Sequence, residues 1–442
     1  MHAFRPRPLM LALSGLFLAG AHAQSLSELY EAARGVDASY QSARAQVDAS
    51  VARADQARAG LLPSAALTAG LSRTELDSRA GGTASDRSYS TQNLALSASH
   101  PLYRPANSIS WEQAGKQVEL ARAQLTAAEQ DLIVRLSQAY FDVLAAQESL
   151  AFVQAQKTAV TEQLAAARRN FEVGTATITD TREAQAKFDL VVAQQVAAEN
   201  DLRVRKLALD LLTGRSGTDP VPLKTPVVLP ALAPDAVEPW VSQALDAHPS
   251  LRQAQLAVEI ATLESRKAQA GHSPTLDLTA SHGITRNPSG SANSALSSRS
   301  AATTVGLAFN LPLFTGYAVQ NRVRETLSLE EKARADLETA RRSVTQAVRT
   351  AYFGVQSGAG QAKALEAAEA SSQSALDANK LGYQVGVRIN IDVLNSQSQL
   401  FQTKRDLAQA RYSVLVNGLR LRQASGVLKD EDLRAINALL GK

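Results

Sequence analysis

Hydrophobic positions change their spacing several times along this chain. From Asn107 to about Phe171, and again from about Tyr317 to Tyr383, there is no proline, and alanine, leucine, glutamine and charged residues dominate. Within these runs Val118, Ala121, Leu125, Ala128 and Leu132, and then Ala333, Leu337, Ala340, Val344, Ala347 and Ala351, step by threes and fours. That spacing predicts helices carrying a heptad-like seam. A core stripe in an ordinary bundle gives the same spacing, but about 65 uninterrupted residues at 1.5 Å each make a rod of roughly 100 Å, longer than a compact domain needs. Alanine where most cores use leucine favours thin helices in close approach. Further helical runs cover roughly 25–59, 180–213, 236–270 and 392–425.

Between the helices the period falls to two. In SAALTAGLS (64–72) Ala65, Leu67, Ala69 and Leu71 oppose Ser64, Ala66, Thr68 and Gly70, and in 91–103 Leu94, Leu96 and Ala98 oppose Asn93, Ala95, Ser97 and Ser99. Further on, Leu276, Leu278 and Ala280 oppose Asp277, Thr279 and Ser281, while Val305, Leu307, Phe309 and Leu311 oppose Thr304, Gly306, Ala308 and Asn310. Four strands are predicted, at about 61–72, 91–103, 273–283 and 302–314. Each has one apolar and one small polar face, as a membrane barrel requires; half-buried strands of a soluble sheet alternate in the same way. The segments 73–90 and 284–302, polar and rich in glycine and serine, read as long loops joining each pair and shift the balance toward the barrel. Four strands cannot close one, because about eight are needed before side chains alone fill the interior. Open edges cannot stand in lipid, so membrane-spanning strands would have to be pooled by several chains.

The pattern occurs twice. Tyr140-Phe141 matches Tyr352-Phe353, Gly174 matches Gly386, Asp180 matches Asp392 and Gly214 matches Gly426, all 212 residues apart. Gly60 with Gly271, Pro63 with Pro274, Leu67 with Leu278 and Pro101 with Pro312 are 211 apart. A tandem duplication follows, with a first copy over 24–217, a proline-rich joint over 218–235, a second copy over 236–426 and a tail over 427–442. One frame stands out in both copies, FEVGTATITDTR (171–182) and YQVGVRINIDVL (383–394). Gly174 and Gly386 are placed to stop one helix, and Asp180 and Asp392 lie near the start of the next. Helix capping by the two aspartates would by itself account for the repetition.

Composition narrows the chemistry. Residues 1–23 carry Arg5 and Arg7, an apolar run from Leu9 to Leu18 and Ala21-His22-Ala23, which predicts a signal peptide cleaved before Gln24. Its apolar core is shorter than the roughly 20 residues of a membrane anchor. The formal charge is +4, which loss of Arg5 and Arg7 would lower by two, so nothing marks a nucleic-acid binder. There is no cysteine, and no two of the six histidines are three or four residues apart. No Walker loop, G-x-G-x-x-G or G-x-S-x-G occurs, so neither an enzyme nor a cofactor or metal site is expected.

The stretches LYEAARGVDASYQSARAQ and DAHPSLRQAQ (246–255), the Pro-Leu-Tyr and Pro-Leu-Phe at 101–103 and 312–314, and above all NFEVGTATITD and LGYQVGVRINIDVLNSQSQLFQTKRDLAQARYSVL resemble the TolC family of outer-membrane efflux and secretion channels. The likeness covers essentially all of the chain after the leader. It implies an α+β membrane protein that forms a homotrimer. Four transmembrane strands per chain would be pooled as a 12-stranded barrel among outer-membrane lipids, continued into the periplasm by a barrel of antiparallel coiled coils. Such a channel serves a periplasmic adaptor and an inner-membrane transporter of the ABC or RND type, exporting drugs or proteins. The resemblance places the repeated turn at the periplasmic entrance, with Tyr383 and Arg388 tethering neighbouring coiled coils to Thr179 and Asp180. Adaptor contacts are expected on 165–182 and 377–395. Asp392 falls on a carboxylate ring that narrows the lumen; a second ring, aspartate in the family, is Asn395 here, which implies weaker cation selectivity. A secreted coiled-coil scaffold or adhesin would explain the heptads but leaves the strand pairs without purpose.

Overall fold

The computed structural model describes residues 24–80, 83–224 and 226–441, so the expected leader lies outside the described residues. The helices are α1 (Leu26–Val36), α2 (Ala38–Ala59), α3 (Pro105–Glu172), α4 (Ile178–Thr213), α5 (Val237–Ala247), α6 (Pro249–Gln269), α7 (Ala318–Gln384), α8 (Asn390–Ala424) and α9 (Asp430–Asn437). The strands are β1 (Ser64–Ala80), β2 (Thr83–Tyr103), β3 (Thr275–Asn287) and β4 (Ser298–Asn310). The two long rods are α3, with 68 residues, and α7, with 67. Helix α3 opens with Pro105 in its first turn, where a missing N–H costs nothing. The runs expected at 25–59 and 236–270 are each two helices. Asp37 ends α1 and its side chain caps α2 through the Tyr40 N–H at 2.8 Å, while Pro249 begins α6 just after His248 ends α5.

Helices α2 and α4 lie along α3, and α6 and α8 along α7, while α3 also packs on α6 and α8. In the seam Val118, Ala121, Leu132 and Val344 are buried; Ala347 is exposed and Val348 takes its place in the core. The waist is the widest apolar layer. It joins Leu26 and Leu29 of α1, Leu136, Tyr140 and Phe141 of α3, Tyr412 and Leu415 of α8, and Leu433 and Ile436 of α9. The expected joint and tail are built into this layer. Tyr140 donates to the carbonyl of Val221 at 2.9 Å, Lys224 N–H donates to Leu439 O at 2.9 Å, and Leu440 bridges Leu223.

The strands form one antiparallel sheet in the order β1-β2-β3-β4. They extend beyond the expected spans into the expected loops. The β1–β2 ladder runs from Ser64↔Ser99 to Ala80↔Thr83, and β3–β4 from Thr275↔Asn310 to Asn287↔Ser298. Residues 73–90 read as a loop because both faces are polar there, but the ladder satisfies backbone groups whatever the side chains are. At the helix end β4 stops at Asn310 rather than 314, since Pro312 has no N–H for a ladder. At that same end Arg104 donates through Nε and Nη2 to both Asp277 oxygens at 2.8 and 2.6 Å, fastening the start of α3 to β3.

Register decides what each face carries. Leu67, Leu96 and His282 align across the sheet, as do Ala69, Leu94 and Ile284, with Leu278↔Leu307 and Ala280↔Val305 on the same face. The other face carries Thr68, Ala95, Ser97, Thr279, Ser281 and Gly306. The apolar face is bare: Leu67 is 68% exposed, Leu71 77%, Val305 70% and Phe309 66%. At its helix end Tyr103, Phe314 and Tyr317 are exposed, with the Phe314 and Tyr317 rings edge to face at 5.5 Å. Among the described residues no helix is long and apolar enough to cross a membrane.

Beneath the sheet Glu264 of α6 holds three helices together. It accepts from Gln113 of α3 at 3.0 Å and Arg322 of α7 at 2.7 Å, and pairs with Lys267. Partial burial acts to raise the carboxyl pKa, but these donors outweigh it and lower it to about 2.

Candidate functional site: the paired turns at the coiled-coil ends

Both long rods end in the same backbone turn. After α3 the chain passes through Val173 to Gly174 at φ +79°, and after α7 through Val385 to Gly386 at φ +78°. Thr175 and Ala176 N–H both donate to Asn170 O, at 2.8 and 3.1 Å; Val387 and Arg388 N–H repeat this on Gly382 O, at 2.9 and 3.1 Å. Neither glycine is crowded, since a Cβ on Gly174 or Gly386 would meet nothing within 4 Å. What each turn requires is the left-handed conformation that stops a helix.

The next helices begin differently. Thr177 caps α4: its Oγ1 accepts from Asp180 N–H at 3.2 Å, and Asp180 Oδ2 accepts from Thr177 N–H at 2.8 Å. This reciprocal box satisfies two donors left free at a helix start. At the matching position α8 has Ile389, which offers no side-chain cap. Asp180 is therefore a capping carboxylate and Asp392 is not, although both stand at the third helical position. The reading in which both cap holds for the first turn alone.

Asp392 is instead paired with Arg388, whose Nη1 lies 3.7 Å from Asp392 Oδ2 one turn back along the chain. Arg388 remains largely exposed, and Thr179 and Asn395 are exposed as well. Within one chain Arg388 thus meets Asp392, while Asp180 meets Thr177, so the chain does not itself bring Arg388 to Asp180. An exposed pair of this kind contributes about 0–1 kcal/mol.

Tyr383 is one of the residues that bridge the two hairpins. Its Oη accepts from Asn170 Nδ2 at 3.1 Å and does not bond to Asp180 or Thr179 of its own chain. Asn170 is not singled out by the sequence, yet it tops a ladder. Gln163 donates to Asn390, the first residue of α8, and Gln156 donates to Ser398 Oγ at 3.5 Å. The amides at 156, 163 and 170 are seven residues apart, one heptad per rung, which puts them on one stripe of α3. That spacing is visible in the chain, but amides on a helix read first as a solvated face. Around the ladder Val153, Val160, Leu164 and Ala167 of α3 pack with Leu394 of α8. Gly382 also escapes a reading of the sequence: a Cβ there would stand 2.7 Å from Arg388 Cγ, so its lack of a side chain seats the arginine stem against α7.

The family model described as outer membrane efflux protein matches residues 29–215 and 240–427. The chain is 32% identical to outer membrane protein TolC of Vibrio cholerae, over 97% of this chain and 96% of that protein. It is 30% identical to the alkaline protease secretion protein AprF of Pseudomonas aeruginosa, over 98% and 91% of the two chains. Among solved structures the outer membrane protein VceC from Vibrio cholerae superposes with a TM-score of 0.77 at 20% identity, covering 91% of this chain and 96% of that one.

Proposed function

The chain belongs to the outer membrane efflux protein family, and on that premise we propose that it is the exit duct of a tripartite efflux pump or type I secretion system, assembled as a homotrimer in the outer membrane. The observation that carries this reading is the sheet. Soluble monomers rarely expose a contiguous apolar patch beyond a few hundred Å², yet Leu67, Leu71, Val305, Leu307 and Phe309 share one bare face. Lipid accommodates that face, and the small polar face opposite it suits a wet lumen. Strands β1 and β4 leave two open edges, which three copies would close on one another as a 12-stranded barrel. The scaffold or adhesin alternative offers no cover for either the face or the edges.

Transport through such a duct needs no chemical step in this chain, since the docked inner-membrane transporter supplies the energy. A periplasmic adaptor would meet the coiled-coil ends near 165–182 and 377–395. The family relatives named for an outer membrane protein and for protease secretion support a lumen serving efflux, secretion or both.

The gate belongs to the same proposal. Among the described residues the one ion-pair partner of Arg388 is Asp392, at 3.7 Å, so its guanidinium can reach Thr179 and Asp180 of a neighbouring copy, while Tyr383 and Asn170 hold the two hairpins of one copy together. Charge-assisted links repeated around the ring would keep the entrance shut yet openable by a partner. Single-channel conductance of the purified protein in a planar bilayer tests the gate. The wild type should conduct weakly and Arg388→Ser severalfold more; equal conductance removes Arg388 from the gate. Inserted, folded wild type that never conducts overturns the duct.

A further inference from the structure

The outward face of the sheet ends in an arrangement that the duct does not use. From Leu276 to Ile284 its outward positions, apolar apart from His282, cover nine residues, about 27 Å along a strand; at the usual tilt of roughly 35–45° that is about 19–22 Å of height, most of the ~25 Å apolar band of outer-membrane barrels. The next outward position on β3 is Arg286, and the register sets it directly opposite Arg299 of β4. Like charges placed across a ladder destabilise it. Both arginines are exposed, and among the described residues no carboxylate comes within ion-pair distance of either. The contrast with β1 is direct: Arg73 lies 3.8 Å from Glu75 and donates to Ser88 Oγ at 3.1 Å. On its other side Arg286 faces Gln92, itself opposite Leu71, so the carboxylates of Glu75 and Asp77 stand further along β1, away from the belt.

Two guanidinium groups held side by side, one step beyond a lipid-facing belt, are suited to a phosphate at the depth where headgroups begin. Each can present a bidentate fork to phosphate oxygens, and an anion between them removes the repulsion that the register imposes. The helices leave the opposite end of every strand, so the arginine end meets the outer leaflet once the helices are in the periplasm. We propose that Arg286 and Arg299 form a clamp for the phosphate group of an anionic outer-leaflet glycolipid. The inference rests on the reading of the sheet as a membrane face.

The test uses the full-length protein extracted in detergent from outer membranes, with bisphosphorylated lipid A as the probe and bound lipid counted by native mass spectrometry. Wild type should retain lipid A and take up little of its dephosphorylated form. Arg286→Gln with Arg299→Gln should retain roughly tenfold less, the loss expected for charge-assisted hydrogen bonds. In lipid-free detergent that double variant should melt no lower than wild type, because the opposed charges are gone. The double lysine variant keeps charge without the fork and should fall between the two. Equal retention by the glutamine variant overturns the clamp, as does displacement of lipid A by an equal concentration of inorganic phosphate. Conductance of the same preparation separates the two levels. A conducting channel that retains no lipid A overturns the clamp alone; a preparation that neither conducts nor fractionates with the outer membrane overturns the membrane face and the clamp with it.

Discussion

Single residues in this chain act through backbone geometry as much as through charge. Gly386 sits at φ +78° in open space, so its value lies in conformation and not in fit. Gly386→Ala should cost about 1 kcal/mol, since a Cβ disfavours the left-handed region. Gly360, inside α7 where an added methyl would meet nothing within 4 Å, should behave oppositely, Gly360→Ala adding about 0.5–1 kcal/mol. Denaturant midpoints of the two variants measure the contrast, and equal shifts would contradict it. The glycines and acids of both turns are legible because the frame repeats. The Asn170 to Tyr383 bond is not, since it joins residues 213 positions apart and depends on how two hairpins lie together. Gly382 is illegible for a similar reason: its role appears only once the Arg388 side chain has a direction.

At the scale of elements, the two copies have the same parts with different ends. Helix α4 starts with a full capping box and α8 with Ile389, which has no side-chain acceptor. Ile389→Thr should therefore build the missing box with Asp392, slowing amide hydrogen exchange in the first turn of α8 by roughly fivefold for about 1 kcal/mol of added stability. Because that box would draw Asp392 from Arg388, exchange that stays unchanged would show that the arginine pair dominates. Helix and strand identity are readable from periodicity alone, as α3, α7 and the alternating leucines attest. The ends of the strands are not. Polar residues at 73–90 carry no period that separates an extended hairpin from a loop, and backbone pairing makes the choice.

For the whole molecule, the junction of rod and sheet holds a carboxyl that folding depresses strongly. Glu264 has its carboxyl held down at about 2, against an ordinary 4.5, by Lys267, Gln113 and Arg322 acting against its own burial. A carboxyl depressed on folding contributes stability that is complete above its unfolded pKa and is lost as pH falls through the folded one. Wild type should thus lose thermal stability between pH 4.5 and about 2, and Glu264→Gln should be less stable near neutrality with a flatter profile across that window. Parallel profiles would mean that other carboxylates control acid unfolding. Packing on this scale also separates residues that the duplication makes equal: Phe141 is 1% exposed and stacks on Tyr412, while its counterpart Phe353 is 55% exposed. Helix α9 and the segment after α4 cover the first copy's side of the waist and have no second copy. The sequence by itself determined the periods, the repetition, the helix stops and the family, because each is encoded by residues close along the chain. Only the tertiary structure decided which aspartate caps, which aromatic is buried and which arginines face each other, because those follow from where distant segments come to lie.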